Sequence, residues 1–401
     1  MRDNAATVSE WLTRSSPWAS EQKKIAEGYI HMKTRMFALL TVLALLAAAC
    51  GGSTASPSAS VDAGKADFKV CASLDTGGAT DKAFNQSAYE GLQVLEAEGF
   101  DTAFVTAEND GAYTPNIQAL VDEGCDSIFG VGYGQGSAMK SIVEDPANAA
   151  IAFAWVDAPA TDLFADGIPA NFSGIDFQID QASMLAGYLA AGISTSKKIA
   201  TYGGAPYPGV TKFMTGWVAG ANYYAEKNSV AVEVLGWNAT TNEGQFNPNT
   251  ASPFNDIVWG KTVAEGFMGQ GADVVHAVAG TTGNGSYQAM LDANKYSVGV
   301  DLDQCITLPI YCGTLLTSAQ KNIGAALVAA AKEHYAGRIG GVDYVGTLKN
   351  GGVQISTLDR TETAWTAVFG TLVTAELKAE VEALKAAIID GSVVVLTYAT
   401  K

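Results

Sequence analysis

The residues of this 401-residue chain whose types and spacing could do chemistry stand in five short tracts. The longest is Asp75-Thr76-Gly77-Gly78-Ala79-Thr80-Asp81-Lys82-Ala83-Phe84-Asn85-Gln86. The others are Gly130-Val131-Gly132-Tyr133-Gly134-Gln135-Gly136, Trp155-Val156-Asp157, Gly280-Thr281-Thr282-Gly283-Asn284-Gly285 and Asp301-Leu302-Asp303-Gln304. Glycines let backbone approach a ligand closely and leave amides free at helix starts. One such tract alone reads as a tight turn. Five together, with carboxylates and aromatics among them, point to a site for a small polar ligand.

Catalysis has little support. The three histidines, His31, His276 and His334, stand apart, and neither HExxH nor GxSxG occurs. Trp259-Gly260-Lys261-Thr262 ends like a phosphate loop, but Asn255 occupies the place of its first glycine. Gly130–Gly136 does not fit GxGxxG, and no CxxC pair offers a zinc site. No enzyme activity, metal or cofactor is expected.

Each tract follows a short apolar run. FKVCASL, TAFVTA, SIFGVG and AIAFAWV read as strands separated by helical stretches, and a second set follows: FSGIDF, KKIATYGG, VAVEVLGW, ADVVHAV and YSVGVDL. Repeated alternation implies parallel sheets covered by helices on both faces. Two sets imply two similar lobes, a size that 401 residues with 48% apolar content can fill. In such sheets ligands sit beyond the carboxyl ends of the strands. The formal net charge of −17 keeps the chain soluble and argues against nucleic acid and anionic lipid surfaces.

The N-terminus reads as an address. Met32-Lys33-Thr34-Arg35 is basic, and Phe37 to Ala49 is an apolar run too short to span a bilayer comfortably. It ends in Ala47-Ala48-Ala49-Cys50, which resembles a bacterial lipobox with Ala47 where Leu is usual. The expectation is a leader of start-site origin at 1–31, a signal peptide at 32–49, lipid on Cys50, and a flexible Gly/Ser-rich linker at 50–65. Four cysteines then remain, an even number in an oxidising compartment. Cys71 and Cys125 fall on neighbouring strands of a 2-1-3-4-5 sheet, and Cys305 and Cys312 flank one short loop, so the expected pairs are Cys71–Cys125 and Cys305–Cys312, with free buried thiols as the alternative.

Six segments then carry a family resemblance: DTGGATDKAFNQSAYEGL, VGYGQG, FNDIVWGKTVAEGFMGQGADVVHAVAG, TGNG, GVDLDQ and TSAQKNIGAAL, spread from Phe68 to about Ala326. Their order and spacing resemble the basic membrane protein family of purine-nucleoside-binding lipoproteins. Departures are the Asn-rich loop Gly236–Pro253, Ala83 in place of Ser, and the added cysteine loop. The resemblance implies a type I periplasmic-binding fold, two doubly wound parallel-sheet lobes joined by a three-crossing hinge. Residues 66–174 with 313–338 would form lobe 1, and 175–312 with 339–401 lobe 2. Crossings would fall near Phe172–Phe177, Asp303–Gly313 and Arg338–Val345.

A nucleoside offers a flat base, a ring edge and ribose hydroxyls. Stacking on a base is worth roughly 1–3 kcal/mol, and Phe84 is the first clamp candidate, with Tyr133 or Phe254 opposite. Asp157 suits a purine ring N–H, with Asp75 and Asn85 completing that edge. Asp301 suits ribose hydroxyls, with Gly280 alongside, and Lys321 would donate to them and balance its charge. Lobe closure would present the protein to a membrane ABC permease driven by an ATPase elsewhere; a monomer is the default state. Two alternatives stand beside this one: the same fold holding riboflavin or a sugar, and a signalling lipoprotein that reports ligand to a membrane partner, since fold does not decide function.

Overall fold

The structure, a computed structural model, describes residues 63–401 apart from Val342. The leader, the signal-peptide stretch and Cys50 lie outside the described residues. The linker's last residues depart from expectation, because Ala63–Ala66 form a one-turn helix. Lys65 there reaches Glu98 at 3.8 Å and lies 5.0 Å from the Phe100 ring, which docks the turn on the first lobe.

The strands in chain order are β1 (Lys69–Leu74), β2 (Asp101–Thr106), β3 (Ser127–Val131), β4 (Ala152–Val156), β5 (Phe172–Phe177), β6 (Lys198–Gly203), β7 (Glu233–Leu235), β8 (Trp237–Asn238), β9 (Glu243–Gly244), β10 (Val274–Val278), β11 (Tyr296–Asp301), β12 (Leu315–Lys321), β13 (Tyr344–Gly346) and β14 (Val353–Ile355). One six-stranded sheet runs β2-β1-β3-β4-β5-β13, all parallel. The other runs β7-β6-β10-β11-β12-β14, with only β14 antiparallel. The inner strands are buried along their length, which is why they read as continuous apolar runs rather than alternating ones. VAVEVLGW shortens to the three residues of β7, an edge strand stopped by Gly236 at φ +85°.

Three sheet assignments correct the sequence reading. Tyr344–Gly346, expected in the second lobe with the rest of 339–401, is β13 at the edge of the first sheet, beside β5. FSGIDF is β5 of the first sheet, pairing with β4 through Phe153 and Phe172. Leu315–Lys321 is β12 of the second sheet, not part of the first lobe. The chain therefore crosses after Phe177, between Lys321 and the next helix, and between Gly346 and Val353. An apolar strand buried on both faces carries no mark of which sheet it joins.

The helices are α1 (Phe84–Ala97), α2 (Tyr113–Asp122), α3 (Gly136–Val143), α4 (Ile179–Ile193), α5 (Pro208–Asn228), α6 (Ile257–Gly269), α7 (Gly283–Asp292), α8 (Ile323–Tyr335), α9 (Thr363–Phe369), α10 (Ala375–Asp390) and α11 (Val395–Ala399). Helix α8 returns to the first lobe, where His334 Nδ1 lies 2.7 Å from Ser127 Oγ on β3. Helices α4 and α5 pack backbone to backbone, since a Cβ at Gly216 or Gly220 would run into α4 carbonyls. Asp256 caps α6 by accepting from Trp259 N at 2.9 Å. Disulfides join Cys71 to Cys125 and Cys305 to Cys312. Among the described residues, no helix is long and apolar enough to cross a membrane.

Candidate ligand-binding cleft

The carboxyl ends of both sheets face one cleft. All nine candidates from the sequence line it: Asp75, Phe84, Asn85, Tyr133, Asp157, Phe254, Gly280, Asp301 and Lys321. Asp157 follows β4 and Asp301 ends β11, and both take a left-handed backbone, at φ +77° and +64°. Such strain in a non-glycine residue costs about 1–3 kcal/mol and persists where its surroundings fix it.

Lys321, the last residue of β12, donates to Asp157 Oδ1 at 2.6 Å and to the Gly209 carbonyl at 3.3 Å. Its ammonium lies 4.9 Å from the Phe213 ring and 5.5 Å from the Phe84 ring. The direct partner of Lys321 is therefore Asp157 rather than Asp301. The reason is geometric: Gly209, at the start of α5, has no Cβ, and the Asp157 carboxylate occupies that space. Asp301 Oδ1 is buried and has no hydrogen-bond partner in the protein.

Asn85 orients rather than offers. Its Nδ2 donates to Asp75 Oδ1 at 2.7 Å and to Asp81 Oδ2 at 2.9 Å, and its Oδ1 accepts from Asp75 N at 3.1 Å. Asp81 secures the start of α1 by accepting from the amides of Ala83, Asn85 and Gln86. The Asn85 amide thus has its polar groups engaged, leaving Asp75 as the cleft-facing member of that edge. The three clamp candidates, Phe84, Tyr133 and Phe254, all line the cleft. Tyr133 and Phe254 flank Tyr207, at 5.3 Å and 6.2 Å between ring centroids. Trp155 backs Tyr133 at 5.1 Å. Phe84 faces the Lys321 ammonium.

Burial pushes the carboxyls up: Asp301 to about 7, Asp75 to about 6 despite donors from Gly77 and Asn85, and Asp157 upward against the opposing Lys321 charge. Five aspartates and a single lysine line the cleft. That charge balance repels phosphate and suits neutral ligands rich in N–H and O–H donors. Besides the Lys321–Asp157 pair, two hydrogen bonds hold the lobes together at the mouth: Asn255 Nδ2 to Thr76 O and Thr307 Oγ1 to Lys82 O, each 2.9 Å. The cleft is closed.

Tyr207, Phe213 and Tyr113 also line it and fall outside the five tracts, while Asp81 lines it from within the first tract. The signal was available for Tyr207. Gly203-Gly204-Ala205-Pro206-Tyr207-Pro208 follows β6 as the other tracts follow their strands. Phe213, one turn into α5, carries no such mark.

A closed cleft between two doubly wound lobes, lined from both, defines a solute-binding protein of the type I periplasmic fold. The chain belongs to the Bmp family, described as ABC transporter substrate-binding protein PnrA-like, which matches residues 68–383. It is 28% identical to the ABC transporter nucleoside-binding protein BmpA of Lactococcus lactis subsp. cremoris, over 91% of this chain and 99% of that one. It is 31% identical to Basic membrane protein B of Borrelia garinii subsp. bavariensis, over 68% of this chain and 75% of that one. Among solved structures, a solute-binding protein of an ABC transporter system from Aeropyrum pernix K1 superposes with a TM-score of 0.69 at 24% identity, covering 81% of this chain and 92% of that one. A transcriptional activator of the comK gene from Bacillus halodurans shares the fold at a TM-score of 0.61 and 18% identity, covering 81% and 99%.

Proposed function

We propose that the protein is the lipid-anchored substrate-binding component of an ABC importer and that its substrate is a purine nucleoside. The observation that carries the ligand class is Asp301 Oδ1, buried in an acid-rich aromatic cleft without a protein donor. A ribose hydroxyl supplies such a donor, and a ligand lacking it leaves the carboxylate unpaired, a cost of about 1–3 kcal/mol. Asp75 and Asp157 suit the N–H groups of a purine edge. The surplus of carboxylates disfavours a nucleotide. The Lactococcus lactis relative, named for nucleoside binding, supports the same reading.

The family role requires a permease that receives the closed form. Anchoring through Cys50 rests on the apolar run Phe37–Ala49 and the small residues before that cysteine. Its test is membrane fractionation, in which Cys50→Ser moves the protein to the soluble fraction. The ligand is tested by thermal denaturation of unfolded-and-refolded, ligand-free protein. A ligand that binds only the folded state stabilises it by about 2.7 kcal/mol at a hundredfold excess over Kd. Inosine, guanosine or adenosine raises Tm, whereas the matching monophosphates do not. A rise with riboflavin or a pentose and none with any nucleoside would discard the nucleoside reading and retain the transport role.

A further inference from the structure

The loop between β11 and β12 carries features that ligand contact does not use. Cys305 and Cys312 close a small covalent ring, and both are buried. Inside the ring lies Thr307, whose hydroxyl donates to the Lys82 carbonyl of the opposite lobe at 2.9 Å. Lys82 has φ +64° and sits in the tract leading from Asp75 to α1. Directly before the ring, Gln304 is buried. Its Oε1 accepts from Val300 N at 2.9 Å and Tyr287 Oη at 2.7 Å, and its backbone N–H donates to Ser318 Oγ at 3.1 Å. One end of the loop is thus tied to the core of the second lobe, three residues after Asp301. The part that crosses the cleft mouth is a single helical turn, Gln304–Thr307, followed by a tight turn at Pro309–Tyr311; the covalent ring closes across both, and the loop bears the exposed side chains Ile306 and Ile310.

We propose that this disulfide-closed loop is a latch on the closed cleft, with Thr307 as the positioning residue that slows ligand release. The ring limits the conformations of a short loop before closure, so less ordering remains when Thr307 meets Lys82. The hydrogen bond exists only in the closed form, so its contribution falls on opening rather than on first encounter. Neither Thr307 nor the cysteines line the cleft, so the latch sets residence time without choosing the ligand. An oxidising compartment would keep the ring closed, and reduction would loosen it.

The test compares Thr307→Val, which keeps shape and loses the hydroxyl, with Thr307→Ser, which keeps the hydroxyl, and with the double variant Cys305→Ser/Cys312→Ser, all in the full chain. Hydrogen exchange in ligand-free protein reads the latch without any assumption about the ligand. Thr307→Val and the double variant speed exchange in the opposite-lobe segment 76–86, and Thr307→Ser leaves it near wild type. Stopped-flow release of inosine, which rests on the nucleoside reading, rises about fivefold in Thr307→Val with association unchanged, as expected for one neutral hydrogen bond. Equal exchange in segment 76–86 for all three variants and wild type would overturn the latch. Wild-type protein that shows the exchange pattern but does not bind inosine would count against the nucleoside alone.

Discussion

Asp157 and Lys321, 164 positions apart, meet at 2.6 Å from opposite lobes. Both are almost fully buried, and each comes from the carboxyl end of a strand, or the residue after it, in a different sheet. Removing one member of a buried pair leaves an uncompensated charge, at a cost of about 3–5 kcal/mol. Lys321→Met is expected to destabilise the protein by about 3 kcal/mol in urea denaturation. The double variant with Asp157→Asn should lose less than the two single losses combined. Simple additivity would mean that the two side chains do not interact in solution.

The absent Cβ at Gly209 makes room for that carboxylate. Alanine is favoured over glycine inside helices by about 1 kcal/mol, so Gly209→Ala should hardly weaken α5. It should nonetheless lower ligand affinity at least tenfold, because Asp157 is displaced from Lys321. Circular dichroism and equilibrium titration separate the two effects, and unchanged affinity would contradict the crowding argument.

Affinity should depend on pH through Asp301 and Asp75, whose carboxyls titrate at about 7 and about 6 in the ligand-free protein. A ligand N–H or O–H favours the ionised form, so affinity falls as pH drops through 7 and again through 6. Asp301→Asn removes the upper step. Stability has the opposite sign. A carboxyl raised above its unfolded value contributes stability below about pH 4 and loses it as pH rises past about 7. Ligand-free Asp301→Asn is therefore expected to be more stable than wild type at pH 8, by at most about 4 kcal/mol. Melting curves at pH 8 measure this.

Two buried histidines act on stability in acid. Burial holds His334 down to about 4 and His276 to about 3. A depressed value gives stability that is complete above the unfolded value of about 6.5 and is lost as pH falls towards 4. For His334 the loss approaches about 3 kcal/mol. His334→Gln, which can still meet Ser127, should flatten the decline in urea midpoint between pH 7 and 4.5. A decline as steep as that of wild type would place the acid sensitivity elsewhere.

Most of the cleft was legible because parallel sheets carry their ligands at carboxyl ends, and Asp75, Asp157, Gly280 and Asp301 follow or end apolar runs that only buried strands explain. The crossings were less legible. Leu315–Lys321, with Thr317, Ser318, Gln320 and Lys321 in it, has no continuous apolar run to mark it as a strand, and only its pairing with β11 assigns it to the second sheet. Pairings between distant residues left no local trace, so Lys321 was matched to Asp301 when Asp157 lies against it. Asn85 was read by type as a ligand donor, yet its neighbours Asp75 and Asp81 engage its amide. Tyr207 obeys the strand-end rule, in a Gly-rich tract after β6 that carries the same mark as the tracts holding Tyr133 and Gly280.

The most direct measurement is calorimetric titration of ligand-free full chain with inosine, guanosine and D-ribose at pH 8, repeated with Asp301→Asn. Saturable one-to-one binding of a purine nucleoside, at least tenfold weaker in Asp301→Asn and far weaker for D-ribose, is the expected result. Tight binding of D-ribose with no heat from either nucleoside would contradict the proposed ligand.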